Sequence, residues 1–208
     1  MIKKPNTLRK PTELLTVEHI GSFTNSGTIL IADPCYANES QTTTENFSLS
    51  TRITVRPGTY DVYTFSKIFD HREPVVTHAV VVIREKDIAA GLFFENDRPL
   101  ALIGNDTGNL GFYDPEKYPQ DRDEDIRKKT APNTTIEDIG VVCSTGFGDD
   151  EYPIYASYGR GEIVGLLASF VYSNADLTTL LTAYLADHEA LQARFRPQTS
   201  IPSVSEED

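Results

Sequence analysis

Five aspartates fall where the sequence expects β-strands to end: Asp33, Asp106, Asp114, Asp149 and Asp150. If those ends converge, the carboxylates form an oxygen-rich cluster for a divalent cation, which could activate water for hydrolysis, or for a basic group. Sheet topology decides whether they converge. Asp149 and Asp150 follow Ser144-Thr145-Gly146-Phe147-Gly148, where Gly146 and Gly148 let backbone amides approach a ligand closely. No Gly-Lys-Ser/Thr follows, and the acids would repel phosphate, so this is no phosphate loop. The spacing of an EF-hand is missing as well. The plain alternative is a turn feeding a strand, its acids solvated. Cys35, in Asp33-Pro34-Cys35-Tyr36, is a candidate reactive thiol. Its acidic neighbours disfavour the thiolate, and none of His19, His71, His78 or His188 lies near it in sequence. The favoured reading is a small buried thiol beside an Asp-Pro turn. Asp106-Thr107-Gly108 has the form of the aspartic-protease triplet, which needs a second carboxylate. The counterpart here is Asn25-Ser26-Gly27, which supplies none.

The elements that must carry these residues are read from punctuation and periodicity. Residues 14–23 are strand-like, and 27–33 (GTILIAD) is a short apolar run closed by Asp33-Pro34, which suits a buried strand. Residues 37–47 are a polar loop. Residues 49–55 and 59–65 alternate on either side of Pro57-Gly58 and predict a hairpin. The β-branched run 75–83 has apolar residues on both faces and predicts a central strand. Short strands follow at 100–105 and 110–113, then a charged loop over 115–135. Strands at 139–144, 152–158 and 162–170 complete the set, the last two joined by Gly159-Arg160-Gly161. Asn174 caps an amphipathic helix over 174–196, with Leu177, Leu180, Leu181, Tyr184, Leu185, His188 and Leu191 at helical spacing and Pro197 as its stop.

Two internal echoes run through this order. Ser26-Gly27 and Asp33-Pro34 recur at the same separation as Thr107-Gly108 and Asp114-Pro115, preceded by Asn25 and Asp106 respectively. Tyr60-Asp61-Val62-Tyr63 recurs more loosely as Tyr152-Pro153-Ile154-Tyr155. Two halves of one layout predict a pseudo-twofold assembly of sheets. The expected fold is therefore mainly β (α+β): an antiparallel β-sandwich or barrel-like pair of sheets with one C-terminal amphipathic helix and an internal pseudo-repeat. Residues 1–12 are expected to be a flexible lead, 13–196 one domain, and 197–208 a disordered acidic tail.

Composition narrows the partners. The 208 residues carry 19 Lys plus Arg against 31 Asp plus Glu, a net charge of -12, which repels nucleic-acid phosphates and anionic lipid. The two cysteines make no disulfide framework, and no apolar run reaches membrane-spanning length. A cytoplasmic protein without membrane or generic nucleic-acid binding is expected, its oligomeric state open. No cofactor is expected beyond a divalent cation at the aspartates.

GTILIADPCY at 27–36, VRPGTYDVY at 55–63, NDTGNLGFYD at 105–114 and the run from Ser144 to Phe170 together resemble an uncharacterised family of bacterial and phage proteins. Its members carry a strand ending in DPCY or DP, a D-[ST/A]-G run and G-[YFW]-G-D-G-x-Y-x-V-Y. This chain departs from the last block at Asp150, where the family has Gly. The resemblance implies a β-rich framework and no agreed activity; by analogy, a phage or mobile-element origin implies a role against a host protein or defence pathway. With no assembled catalytic set, the leading expectation is a non-enzymatic binding protein for a host protein or small ligand. The alternatives are a metal-assisted hydrolase using the strand-end aspartates, and a sponge for a nucleotide signal in which Arg52, Arg56, Arg84 or Arg160 reach the phosphates.

Overall fold

Apolar residues on alternate positions of most strands need a second layer to bury them, and the chain supplies it as two stacked sheets. The computed structural model describes residues 16–37, 43–44, 47–67, 76–84, 87, 98–118, 133–136, 138–146, 148, 150–170 and 181–187. The strands are β1 (Thr16–Asn25), β2 (Thr28–Ala32), β3 (Thr43–Thr44), β4 (Phe47–Ser48), β5 (Ser50–Thr54), β6 (Gly58–Lys67) and β7 (Val76–Arg84). There follow β8 (Ala101–Asn105), β9 (Asn109–Tyr113), β10 (Thr134–Ile136), β11 (Gly140–Ser144), β12 (Asp150–Gly159) and β13 (Glu162–Ser169). Eight strands form one sheet in the order β1-β6-β7-β13-β12-β8-β4-β3, and five form the other, β10-β11-β9-β2-β5. The sheets do not close into a barrel, so the fold is a mainly β sandwich with a helix, described over residues 181–187. That helix is the described part of the span expected at 174–196; the rest of the span, the lead and the tail lie outside the described residues. No described helix is long and apolar enough to cross a membrane.

The main core lies between the sheets and draws on both: Ile29, Ile31, Ile53, Phe112 and Val141 from the small one, and Tyr60, Val62, Val80, Ile154 and Leu166 from the large one. On the outer face of the large sheet, Leu181, Tyr184 and Leu185 of the helix cover Tyr63, Phe65, Val81 and Leu167.

The pairing carries the internal repeat. In the small sheet Leu30 pairs with Tyr113, Ala32 with Gly111, and Ile31 faces Phe112. Exchanging β2 for β9 reproduces that register. In the large sheet Val82 pairs with Leu166, Val80 with Ala168, and Val81 faces Leu167, so exchanging β7 for β13 does the same. A pseudo-twofold axis passes through both points and relates β1, β2, β5, β6 and β7 to β8, β9, β11, β12 and β13. Both sequence echoes follow it. Tyr60 pairs with Phe23 as Tyr152 pairs with Ile103.

Three expectations are corrected. Residues 49–55 and 59–65 form no hairpin: β5 pairs with β2 in the small sheet, while β6 pairs with β1 and β7 in the large one. Pro57-Gly58 is a corner between sheets, because Ile53 and Tyr60 must enter the same core from opposite sides. The polar stretches 37–47 and 115–135 contain strand residues of β3, β4 and β10, too short and too polar to carry a pattern. The repeat also aligns Asn25 with Asn105 instead of Asp106. Each asparagine takes an N–H of the following glycine, Gly27 or Gly108, on its side-chain oxygen and gives its amide to the carbonyl that opens the next strand. Asp106 is thus an extra residue in the second turn.

Candidate functional site

The repeat gives the sandwich two poles with matching backbone and different side chains. At one pole the β8–β9 turn (residues 106–108), the Asp33-Pro34-Cys35-Tyr36 turn and the loop after β11 meet. Asp33 is fully buried and consumed by backbone. Its Oδ1 accepts the Cys35 N–H at 2.8 Å, and its Oδ2 accepts the N–H groups of Asp106 at 2.9 Å and Thr107 at 2.8 Å. The Tyr36 hydroxyl donates to Asp106 Oδ2 at 2.7 Å, and this bond, with partial burial and the nearby carboxylates, pushes the phenol up to about 12. The loop after β11 is pinned from below. Thr145 N–H donates to the Gly108 carbonyl at 2.9 Å, and the Gly148 carbonyl accepts the hydroxyls of Thr145 at 3.1 Å and Tyr152 at 2.8 Å. Asp150 stands beside Asn105 in the β8–β12 ladder, and Asp106, Thr107, Gly146, Asp150 and Glu151 are exposed.

At the other pole Asp114 takes the place of Asp33. It too is buried, but its Oδ1 accepts the Glu116 N–H at 3.0 Å and the Ser26 hydroxyl at 3.1 Å. Its Oδ2 has no hydrogen bond and lies 3.9 Å from Lys117 Nζ, which donates to the Thr24 carbonyl at 3.0 Å. The shorter first turn brings the Ser26 hydroxyl, in place of two backbone N–H groups, to the carboxylate. Tyr60 matches Tyr152, donating to the Arg56 carbonyl at 2.6 Å, the tie that pins corners of β-sandwiches. Around it Arg56 Nε donates to Glu162 at 2.7 Å and Arg84 Nη1 to Asp87 at 2.7 Å, while Arg56 Nη1 reaches the same Asp87 at 3.3 Å. The Glu162 contact raises the Arg56 guanidinium above its usual value.

Of the residues singled out by sequence, the first pole gathers Asp33, Cys35, Asp106, Gly146, Gly148 and Asp150. Asp114 is at the far end of the antiparallel β2–β9 pair, about 13 Å of strand away. Asp149 lies outside the described residues. Among those described, no group of three or more His, Cys, Asp or Glu is placed to hold a metal ion. Of the four arginines considered for phosphate, Arg56 and Arg84 converge on Asp87, whereas Arg52 and Arg160 stand exposed on β5 and on the β12–β13 turn. Cys143, in the core, has its thiol pushed far up by burial, which leaves Cys35 as the accessible one.

The sequence reading missed one constellation on the outer face of the large sheet. Asp61 Oδ1 accepts the Ser22 hydroxyl at 2.6 Å and lies 3.3 Å from His19 Nε2. A nucleophile triad needs the imidazole between hydroxyl and carboxylate. Here the carboxylate is in the middle, so Ser22 gains no base. Only the pairing register of β1 with β6, with its irregularity at His19/Gly21, brings the three together.

Comparison of the chain with protein-family models, with curated proteins and with solved structures finds no match.

Proposed function

We propose that the chain is a non-enzymatic binding protein that captures a basic segment of a partner protein on its acidic pole. The observation that carries this reading is the fate of Asp33. The most buried carboxylate of the pole spends both oxygens on three backbone N–H groups, holding the turn that presents Asp106. The exposed acids Asp106, Asp150 and Glu151 are then left on a rigid rim, the arrangement a cationic partner complements. The Lys and Arg ion pairs among the described residues, made by Arg56, Arg84 and Lys117, all belong to the opposite pole. The resemblance to bacterial and phage proteins extends the proposal to a host protein or defence component as the partner.

One titration series tests it. A peptide of alternating Lys and Ser, added to isotopically labelled protein, is expected to shift the amides of Asp106, Thr107, Gly146, Gly148 and Asp150. The shifts should weaken as salt rises and vanish in the Asp106→Asn/Asp150→Asn double variant. Saturable Mn2+ broadening centred on that pole, accompanied by hydrolysis, would favour the metal-assisted reading instead. Shifts at Arg56 and Arg84 on adding a nucleotide would favour the sponge.

A further inference from the structure

The pseudo-twofold axis pairs each edge of one half with an edge of the other, and in the small sheet the two edges are unequal. In β11 the N–H of Thr145, just past its end, donates to Gly108, and Asp114 N–H donates to Ile139, so odd-numbered residues bond towards β9. Gly140, Val142 and Ser144 therefore turn their main-chain groups outward, where β10 meets them: Thr134 pairs with Val142 and Ile136 with Gly140. In β5 the same two bonds recur, Val55 N–H to Gly27 and Asp33 N–H to Leu49. Arg52 and Thr54 thus turn their N–H and C=O groups outward, and both residues are exposed. The segment before β5 does not fold back on it. It crosses to the large sheet, where Ser48 of β4 pairs with Ile103 of β8. Among the described residues, β5 ends the small sheet with no strand beyond it.

We propose that the outer edge of β5 is a strand-docking site, which takes an extended segment of a partner protein antiparallel to β5 with a carboxylate side chain opposite Arg52. The axis supplies the kind of strand: β10, short and rich in β-branched residues, already occupies the equivalent edge. Arg52 supplies the charge. It pairs with Leu30 across the ladder and stands exposed on the outer face, in the place of Val142. Against a second copy of this chain, β5 pairing with β5 about its centre would set Arg52 opposite Arg52, which is unfavourable. An added strand with Asp or Glu at that point gains main-chain bonds for Arg52 and Thr54 and a cross-strand ion pair. This surface is separate from the acidic pole, and variants of Asp106 and Asp150 leave it unchanged.

The test uses the full chain and two synthetic peptides, PNTTIED, which copies residues 132–138, and the same peptide with glutamate in place of Thr134. On the equivalent register Thr134 falls opposite Arg52. Both peptides are expected to slow hydrogen exchange at the Arg52 and Thr54 amides, the glutamate version binding about 2- to 5-fold more tightly. Thr54→Pro, which removes one outward N–H and no bond to β2, should abolish binding. Should that variant fail to fold, Arg52→Glu paired with a peptide carrying lysine at the Thr134 position is expected to restore the preference in reverse. Unchanged exchange at Arg52 and Thr54 under saturating peptide would overturn the proposal. So would protection of those amides by self-association alone in sedimentation experiments, or equal affinity of the two peptides.

Discussion

The two poles of this sandwich are built on one backbone plan and diverge in what their buried aspartate holds. At the Asp33 pole a turn one residue longer delivers two N–H groups to the carboxylate, and a third comes from Cys35. At the Asp114 pole the shorter turn delivers one hydroxyl, and one carboxylate oxygen is left near Lys117. The neighbours follow suit. Arg84 stands across from Tyr60 at the second pole, whereas Phe170 packs edge-on against Tyr152 at the first, ring centroids 4.7 Å apart. A single inserted residue, Asp106, thus turns one pole into a self-sufficient backbone scaffold with acids outside, while the other depends on ion pairs. The lesson is that in a duplicated fold, function is sought where the copies differ.

The largest test of this contrast removes each aspartate. Asp33→Ala strands three N–H groups, two of them across the turn, and is expected to cost about 3 kcal/mol or more. Asp114→Ala strands one N–H and frees Ser26, which can turn to water, for a cost of about 1–2 kcal/mol. Denaturant midpoints at constant slope measure both. Equal costs would mean that the poles are equivalent and the inserted residue is incidental.

A second test exploits packing across the axis. Leu30 and Ala32 in the first half occupy the places of Gly111 and Tyr113 in the second, so on the outer face large Leu30 meets Tyr113 and small Ala32 meets Gly111. A Cβ on Gly111 would run into the hydroxyl and ring of Tyr113, so the ring lies over the glycine. Gly111→Ala is expected to destabilise by about 1–3 kcal/mol through overpacking. Combining it with Tyr113→Leu should recover part of the loss, which a double-mutant cycle would quantify.

The corner tyrosines should behave alike, because the axis relates them. Tyr60→Phe and Tyr152→Phe each remove one hydroxyl tie to a carbonyl four residues back, and each is expected to cost about 1 kcal/mol. A marked inequality would show that the ion-pair network around Arg56 carries one corner independently of its tyrosine.

Much of this is legible in the residues alone. Short apolar runs bounded by Gly and Pro located the main strands, since burial on both faces and turn chemistry are local properties. Gly159-Arg160-Gly161 predicts a hairpin turn, and Arg160 and Gly161 adopt positive φ there, at 55° and 82°. Pro57-Gly58 carried the same local signal and meant a corner instead, because the choice of partner strand is made by the whole core. The echo of Ser26-Gly27 in Thr107-Gly108 was visible, but its alignment slipped by one residue upstream of the glycine. Only the hydrogen bonds of Asn25 and Asn105 fix it. That Asp33 and Asp106 adjoin while Asp114 does not follows from strand direction, which no spacing encodes.

The smallest effect is spectroscopic and sharpens the contrast where the site is most exposed. Tyr36 donates to Asp106, and ionising its phenol would set two negative charges a hydrogen bond apart, so it resists ionisation up to about pH 12. A phenol whose pKa is raised on folding binds its proton more tightly in the native state. Its contribution to stability is complete below the unfolded value of 10 and fades as pH climbs from 10 towards 12. The difference in ultraviolet titration between the wild-type protein and Tyr36→Phe isolates this one phenol among the 10 tyrosines. Asp106→Asn should move it back towards 10, because an amide accepts the hydrogen bond without the charge. A Tyr36 phenol that titrates near 10 in the unaltered chain would mean that Asp106 is not held against it. The rim of the acidic pole would then be no more ordered than any solvated turn.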